Sequence, residues 1–492
     1  MTTASSSALT ESNNNTNNNG SSSGTKISLW HRARRSRLGV ACVVALTLFT
    51  DMLVYGVVIP CLPMLVIERL KGNSTMVGLL FGCYAFGLLA ATPVFAILSD
   101  RYQNRRYPML SGMIGLVIST LSFAMADTYT LLIMARVAQG VAGGASWTIG
   151  LGLLADVFPT KSLGVVMGSV LTAHTVGFAI GPAVGGFLFE YGGFAAPFLF
   201  CAGFAVINFI AILWLAEPEH KAEDVEHTQD HVSRAQESIP PSPTAAAEEE
   251  EEEAGKIHAY PFSDENTPLL HKANDNTSHT DSKKKTKTPV TMIGLLRNWR
   301  IMSCVLCTIV CSSVFAGIEP ALPIHLTKTY DASASVIGLI FVAMVIPAFL
   351  APVIGHLSDK FGRQFISATG MVMMGVSSPL VAVHFSAIYH IIPPLMLFGL
   401  SSPVTLTPIL PEMGETVNEM GGAAYAQVYA LYNMAYSIGM FVGPVIAGFI
   451  MSASNFKILM LIFGAANIIC SPIMMDWGAV YRSIKSRIAR AF

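Results

Sequence analysis

Leu46 to Pro63 reads LTLFTDMLVYGVVIPCLP. With its flanks this apolar run is long enough to cross a bilayer, and one carboxylate, Asp51, stands near its middle. An ionised Asp at the bilayer centre costs about 2.5–3.5 kcal/mol on insertion scales. Asp51 is therefore either neutralised by a neighbouring helix for packing or kept for use. Pro60 and Pro63 follow in the same run. They are expected to break the helix, and broken membrane helices line cavities rather than lipid.

Around this stretch, 12% of residues are charged, against about 25% in a soluble domain, and 52% are hydrophobic. The composition describes an integral membrane protein of the all-α class. Nucleic acid is not suggested as a partner. Of the eight cysteines, most stand singly in apolar runs, so no disulfide framework or zinc spacing emerges. Cys304, Cys307 and Cys311 share a helix face, where packing is the better reading than metal.

Apolar segments recur at residues 39–63, 76–98, 108–126, 130–153, 164–188 and 195–216. After a polar stretch come 301–326, 334–356, 366–387, 391–411, 423–451 and 456–475. Each is near the roughly 20 residues a spanning helix needs, which predicts twelve transmembrane helices. Lys and Arg near the helix ends number sixteen on the side of the N-terminus and four (Arg69, Lys71, Lys328, Lys457) on the other. Both termini are therefore expected in the cytosol. No cleavable signal precedes the first segment, which is expected to direct insertion itself.

This divides the chain into a disordered tail (1–37), a six-helix bundle (38–216), a linker (217–297), a second bundle (298–476) and a basic tail (477–492). The linker carries the acidic run Glu248 to Glu253 and the basic run Lys283 to Lys285, and its composition reads as disordered. Within it, Glu265-Asn-Thr-Pro-Leu269-Leu270 fits the acidic dileucine pattern that clathrin adaptors read; chance or sorting explains so short a match. The bundles are repeats. Pro60-Cys-Leu-Pro63 recurs as Pro320-Ala-Leu-Pro323, Ser99-Asp100-Arg101 as Ser358-Asp359-Lys360, and Gly181-Pro182 as Gly443-Pro444. A near-constant offset implies a duplicated six-helix unit with a site between halves.

The loop after the second helix, Ser99-Asp100-Arg101-Tyr-Gln-Asn-Arg105-Arg106, and its repeat, Ser358-Asp359-Lys360-Phe-Gly-Arg363, resemble the signature of the major facilitator superfamily. A carboxylate beside guanidinium groups at a helix end can latch neighbouring helices and release when the halves rock. Asp100, Arg101, Arg105, Asp359, Lys360 and Arg363 are the expected latch. In the fourth helix, Arg136-Val-Ala-Gln139-Gly140 matches the family's buried Arg before a glycine-rich face; snorkelling to the interface is its alternative. Helix 5 carries Gly168, Gly177, Gly181, Pro182, Gly185 and Gly186, the antiporter motif of drug:proton exchangers. Such glycines form a groove for a neighbouring helix. His174 lies between them and can carry protons or serve packing.

Glu319, one residue before the repeated proline pair, brings a second carboxylate from the other half. Carboxyl groups in a low-dielectric cleft can exchange protons near physiological pH, which coupling requires. Here the resemblance narrows to the vesicular amine transporter branch, and implies that Asp51 meets a substrate amine while Glu319 contributes to binding. Where that branch pairs a helix 2 Lys with a helix 11 Asp, this sequence has Tyr84 and Asn433, so a neutral hydrogen bond can stand in for the ion pair. The branch's helix 10 Asp falls near Pro403, and the residue after Asp51 is Met52. Tyr425, Tyr429, Tyr432 and Tyr436 share one face of helix 11, suited to a cation or to packing. Glu412, Glu415 and Glu419 read as a solvated loop.

The expected function is a proton-coupled antiporter exporting or sequestering amphipathic organic cations, drugs or amines by alternating access. It is expected to work as a monomer in a plasma or vacuolar/vesicular membrane. The alternatives are export of an anionic metabolite held by Arg136, or a transport-inactive sensor. No enzymatic constellation, cofactor or metal set is read.

Overall fold

The computed structural model describes residues 36–102, 105–215, 292–420 and 425–475. The tails, most of the linker and the dileucine residues Glu265, Leu269 and Leu270 lie outside them. Twelve helices among the described residues are long and apolar enough to span a bilayer. They are α1 (Arg37–Arg69), α2 (Ser74–Tyr102), α3 (Arg106–Ala124), α4 (Tyr129–Val157), α5 (Thr160–Gly192), α6 (Ala196–Trp214), α7 (Trp299–Tyr330), α8 (Ala334–Phe361), α9 (Arg363–Val381), α10 (Ile388–Glu419), α11 (Tyr425–Ala453) and α12 (Phe456–Met474). The twelve-helix expectation holds. The end of the linker is ordered earlier than its composition implied, since Met292–Leu296 form a helical turn with Leu295 buried.

Several helices begin where side chains satisfy their first amides. Ser36 Oγ accepts from the Gly39 amide at 2.9 Å, Asn73 Oδ1 from Met76 at 3.0 Å and Asn455 Oδ1 from Ile458 at 3.0 Å. Gly362, with φ of 99°, makes the sharp α8–α9 connection. The proline expectation is corrected. α1 runs through Pro60 and Pro63 as an unbroken α-helix to Met64 and widens into a π-helical turn only at Leu65–Arg69, while α7 passes Pro320 and Pro323 without interruption. Each proline removes one amide donor from its helix. The interruptions fall elsewhere, at a 3-10 turn around Pro347 in α8 and at Thr407–Pro408 in α10.

The described residues form two compact units, one within 36–215 with 323–342, the other within 292–322 with 343–475. In the first, α1 lies along α5, α2 along α4, and α3 against α4 and α6, around a core including Val44, Leu48, Met113 and Ile149. In the second, α9 lies against α10 and α12, around Cys304, Cys307, Met371 and Met413. Cys311 is also buried, its sulfur 3.9 Å from that of Met374.

Candidate substrate site

Asp51 sits on α1 with 4% of its surface exposed. The Tyr84 hydroxyl of α2 donates to Asp51 Oδ2 across 3.5 Å, the long limit of a hydrogen bond. Oδ1 is buried with no hydrogen-bond partner among the described residues. Room for this arrangement comes from α4. A Cβ at Gly143 would lie 3.1 Å from each Asp51 oxygen and 2.8 Å from the Tyr84 hydroxyl, so the carboxylate rests on bare backbone. Gly140 lets α4 press against the α2 backbone at Tyr84. The glycine-rich run after Arg136 thus shapes the seat of Asp51. Sequence reading placed those glycines on a packing face and missed Gly143 as part of the site.

Arg136, one turn before Gly140, is fully buried, which removes the snorkelling alternative. Its guanidinium carbon lies 5.0 Å from the Phe81 ring centre, 5.6 Å from Tyr55, 5.8 Å from Phe123 and 5.9 Å from Tyr84. It also donates to Gln139 Oε1 at 3.3 Å. Several aromatic faces at this range stabilise a desolvated cation. Tyr84 therefore belongs to both arrangements, with its ring beside Arg136 and its hydroxyl on Asp51. Tyr55, Phe81 and Phe123 gave no sequence signal, because aromatic residues in apolar helices read as packing.

In the second unit, Glu319 on α7 is 2% exposed. The Tyr432 and Tyr436 rings stack at 6.5 Å, so half of the expected tyrosine face is formed; the Tyr425 and Tyr429 side chains lie outside the described residues. Asn433 is half-buried on the same helix, and Pro403 is buried in α10. The structure gives the Tyr84 hydroxyl a bond to Asp51 that the comparison with Asn433 did not foresee.

Of the antiporter glycines, Gly177 abuts the Phe49 carbonyl, Gly181 faces Gly56, and Gly185 abuts Val57, all on α1. Gly186 and Pro182 contact the start of α8 at Ala334 and Gly338, where Glu190 accepts the Ser335 amide at 3.1 Å. Gly168 is exposed with no atom near its missing side chain, and so lies outside this seam.

At the expected latch, Arg105 is paired with Asp156 at the end of α4. Arg363 bonds Glu415 at 2.6 Å and Asp359 at 3.1 Å, and Lys360 lies 5.6 Å from the Phe361 ring. Asp100 and Arg101 close α2, with side chains outside the described residues. The loop reading of Glu412, Glu415 and Glu419 is corrected. They lie on a helix, Ile409–Glu419, where Arg300 binds Glu412 at 2.7 Å and Glu419 at 2.6 Å, and Gln364 donates to Glu412 at 2.7 Å. Their spacing of three and four residues is helical, but the flanking prolines masked it.

The family model described as Major Facilitator Superfamily matches residues 44–302 and 301–483. The chain belongs to the major facilitator superfamily. It is 25% identical over 452 residues to an uncharacterised MFS-type transporter of Schizosaccharomyces pombe, covering 87% of this chain and 93% of that one. It is 26% identical over 409 residues to the synaptic vesicular amine transporter of Homo sapiens, covering 82% and 67%, and 27% identical over 406 residues to the human chromaffin granule amine transporter, covering 82% and 65%. Among solved structures it superposes on a point mutant of the nucleoside transporter NupG with a TM-score of 0.64 at 10% identity, over 89% of this chain and 99% of that one. As a facilitator, this protein is a multi-pass membrane transporter of a small molecule.

Proposed function

We propose that this facilitator is a proton-coupled antiporter that exports or sequesters amphipathic organic cations by alternating access of its two halves. The observation that carries the reading is Asp51, a carboxylate buried within a membrane span, held by one long hydrogen bond from Tyr84, with Oδ1 unpartnered among the described residues. A proton and an organic cation neutralise the same charge. A carboxyl group with a vacant acceptor can therefore trade one for the other, and isolated intramembrane carboxylates mark such pathways. Glu319 supplies a second exchangeable carboxyl from the other unit. The likeness to vesicular amine transporters supports an amine or related cation as cargo.

Arg136 tunes this competition through Tyr84. Its enclosure by aromatic rings and Gln139 disfavours it as the direct ligand of an anionic metabolite. Asp100, Arg101, Arg105, Asp359, Lys360 and Arg363 act as the latch on the cytosolic side, where both termini lie. The protein works as a monomer in a plasma, vacuolar or vesicular membrane, with Glu265, Leu269 and Leu270 available to clathrin adaptors. Reconstituted protein in liposomes with an acidic lumen tests the reading: organic cations are expected to discharge the gradient, organic acids are not. Discharge by acids alone would overturn it in favour of anion transport.

A further inference from the structure

Gly143, Trp147 and Gly150 recur on α4 at helical spacing, and the two glycines abut Asp51 and Val44 of α1. Trp147 therefore stands on the α1-facing stripe, one turn beyond the seat of Asp51. Four residues at 1.5 Å put it about 6 Å further along the helix. Its ring meets His174 of α5 edge to face, with centroids 5.1 Å apart. His174 precedes Gly177, which abuts the Phe49 carbonyl, so this side chain too emerges beside α1. Both rings are only half-buried. The imidazole makes no hydrogen bond among the described residues, and the aromatic ring it meets there is that of Trp147. A polar ring within a membrane span that keeps open surface and lacks a bond calls for a partner from outside the fold.

We propose that Trp147 and His174 form a second subsite for the transported cation, which receives a flat ring carrying a hydrogen-bonding atom about 6 Å from the charged nitrogen held by Asp51. Trp147 supplies a face for the ring, and the imidazole, which has one donor and one acceptor nitrogen when neutral, reads the polar atom. The subsite rests on the proposed role of Asp51. It adds a requirement that Asp51 alone does not impose, since a carboxylate binds any cation that reaches it.

The full chain in liposomes with an acidic lumen provides the test, with gradient discharge driven by 2-phenylethylamine, by its 4-hydroxy counterpart tyramine, and by tetraethylammonium. Wild type is expected to favour tyramine over 2-phenylethylamine in KM by about fivefold, the worth of one neutral hydrogen bond. His174→Phe keeps a ring against Trp147 and should bring that ratio to about one, while His174→Asn should restore part of it. Trp147→Leu should weaken the two ring-bearing cations more than tetraethylammonium. An unchanged ratio in His174→Phe overturns the subsite, as does an equal loss for all three cations in either variant, or no response of wild type to any of them. Asp51→Asn separates the two ideas. If it leaves cation-driven discharge intact, the Asp51 reading fails, whereas an altered tyramine ratio in His174→Phe would still locate the ring beside His174.

Discussion

Gly177 and Gly181 of α5 lie on α1 as Gly439 and Gly443 of α11 lie on α7, where they abut Ile309, Ser312 and Ser313. Arg105 reaches Asp156 in one half as Arg363 reaches Glu415 in the other. Beyond this shared frame the halves diverge. The first buries Asp51, Tyr84 and Arg136 together, and at its latch end Arg105 pairs with Asp156. The second buries Glu319 and gathers Arg300, Arg363, Gln364, Asp359, Glu412, Glu415 and Glu419 into a network. Duplication preserved helix packing, which tolerates few alternatives, while the polar residues were free to specialise.

The shared frame is tested by overfilling it. A Cβ at Gly181 would stand 2.8 Å from Gly56 Cα, and one at Gly443 would strike the Ser313 backbone. Gly181→Leu and Gly443→Leu should each destabilise the protein by about 3 kcal/mol or more, the upper range for overpacking, and lose transport. Melting in detergent reads this, and tolerance at one position only would mean the two seams are not equivalent.

A smaller change sharpens the difference in the first half. Gly143→Ala must move Asp51 and Tyr84, and transport should fall about tenfold, equivalent to about 1.4 kcal/mol, with melting little changed. Removing the hydroxyl as well, in Gly143→Ala with Tyr84→Phe, should recover part of the loss. If the single variant transports normally, the bare backbone under Asp51 has no role in holding it.

At the latch end the halves should respond unequally. Arg300→Leu leaves the buried Glu412 with Gln364 as its described partner and should cost about 1–3 kcal/mol. Arg105→Leu breaks a more exposed pair and should cost at most about 1 kcal/mol, diminishing in high salt. Equal costs would show that the second network is no more than a set of surface pairs.

Much of this was legible in sequence, because a bilayer allows few solutions: twelve apolar segments of spanning length can only be helices, and motifs at one offset reveal the repeat. Asp51, Glu319 and Arg136 stood out as charges where charge is costly, and each proved buried. What sequence hid were partners rather than charges. Gly143 looked like its neighbouring glycines, the rings around Arg136 looked like core, and Glu412 looked like part of a loop, since their meaning lies in which helix stands opposite. The prolines misled in the other direction. Their chemistry forecast a break in α1, yet that helix runs on through both prolines and its irregularity falls at the turn Leu65–Arg69.

The most direct measurement is lumenal pH in acid-loaded liposomes carrying wild type or Asp51→Asn, with an organic cation added outside. Wild type should discharge the gradient, and Asp51→Asn, folded but unable to hold or release a proton at this position, should lower the rate at least about a hundredfold, beyond the tenfold expected of a displaced carboxylate. Discharge at the wild-type rate in Asp51→Asn would contradict the exchange of proton and cation at Asp51.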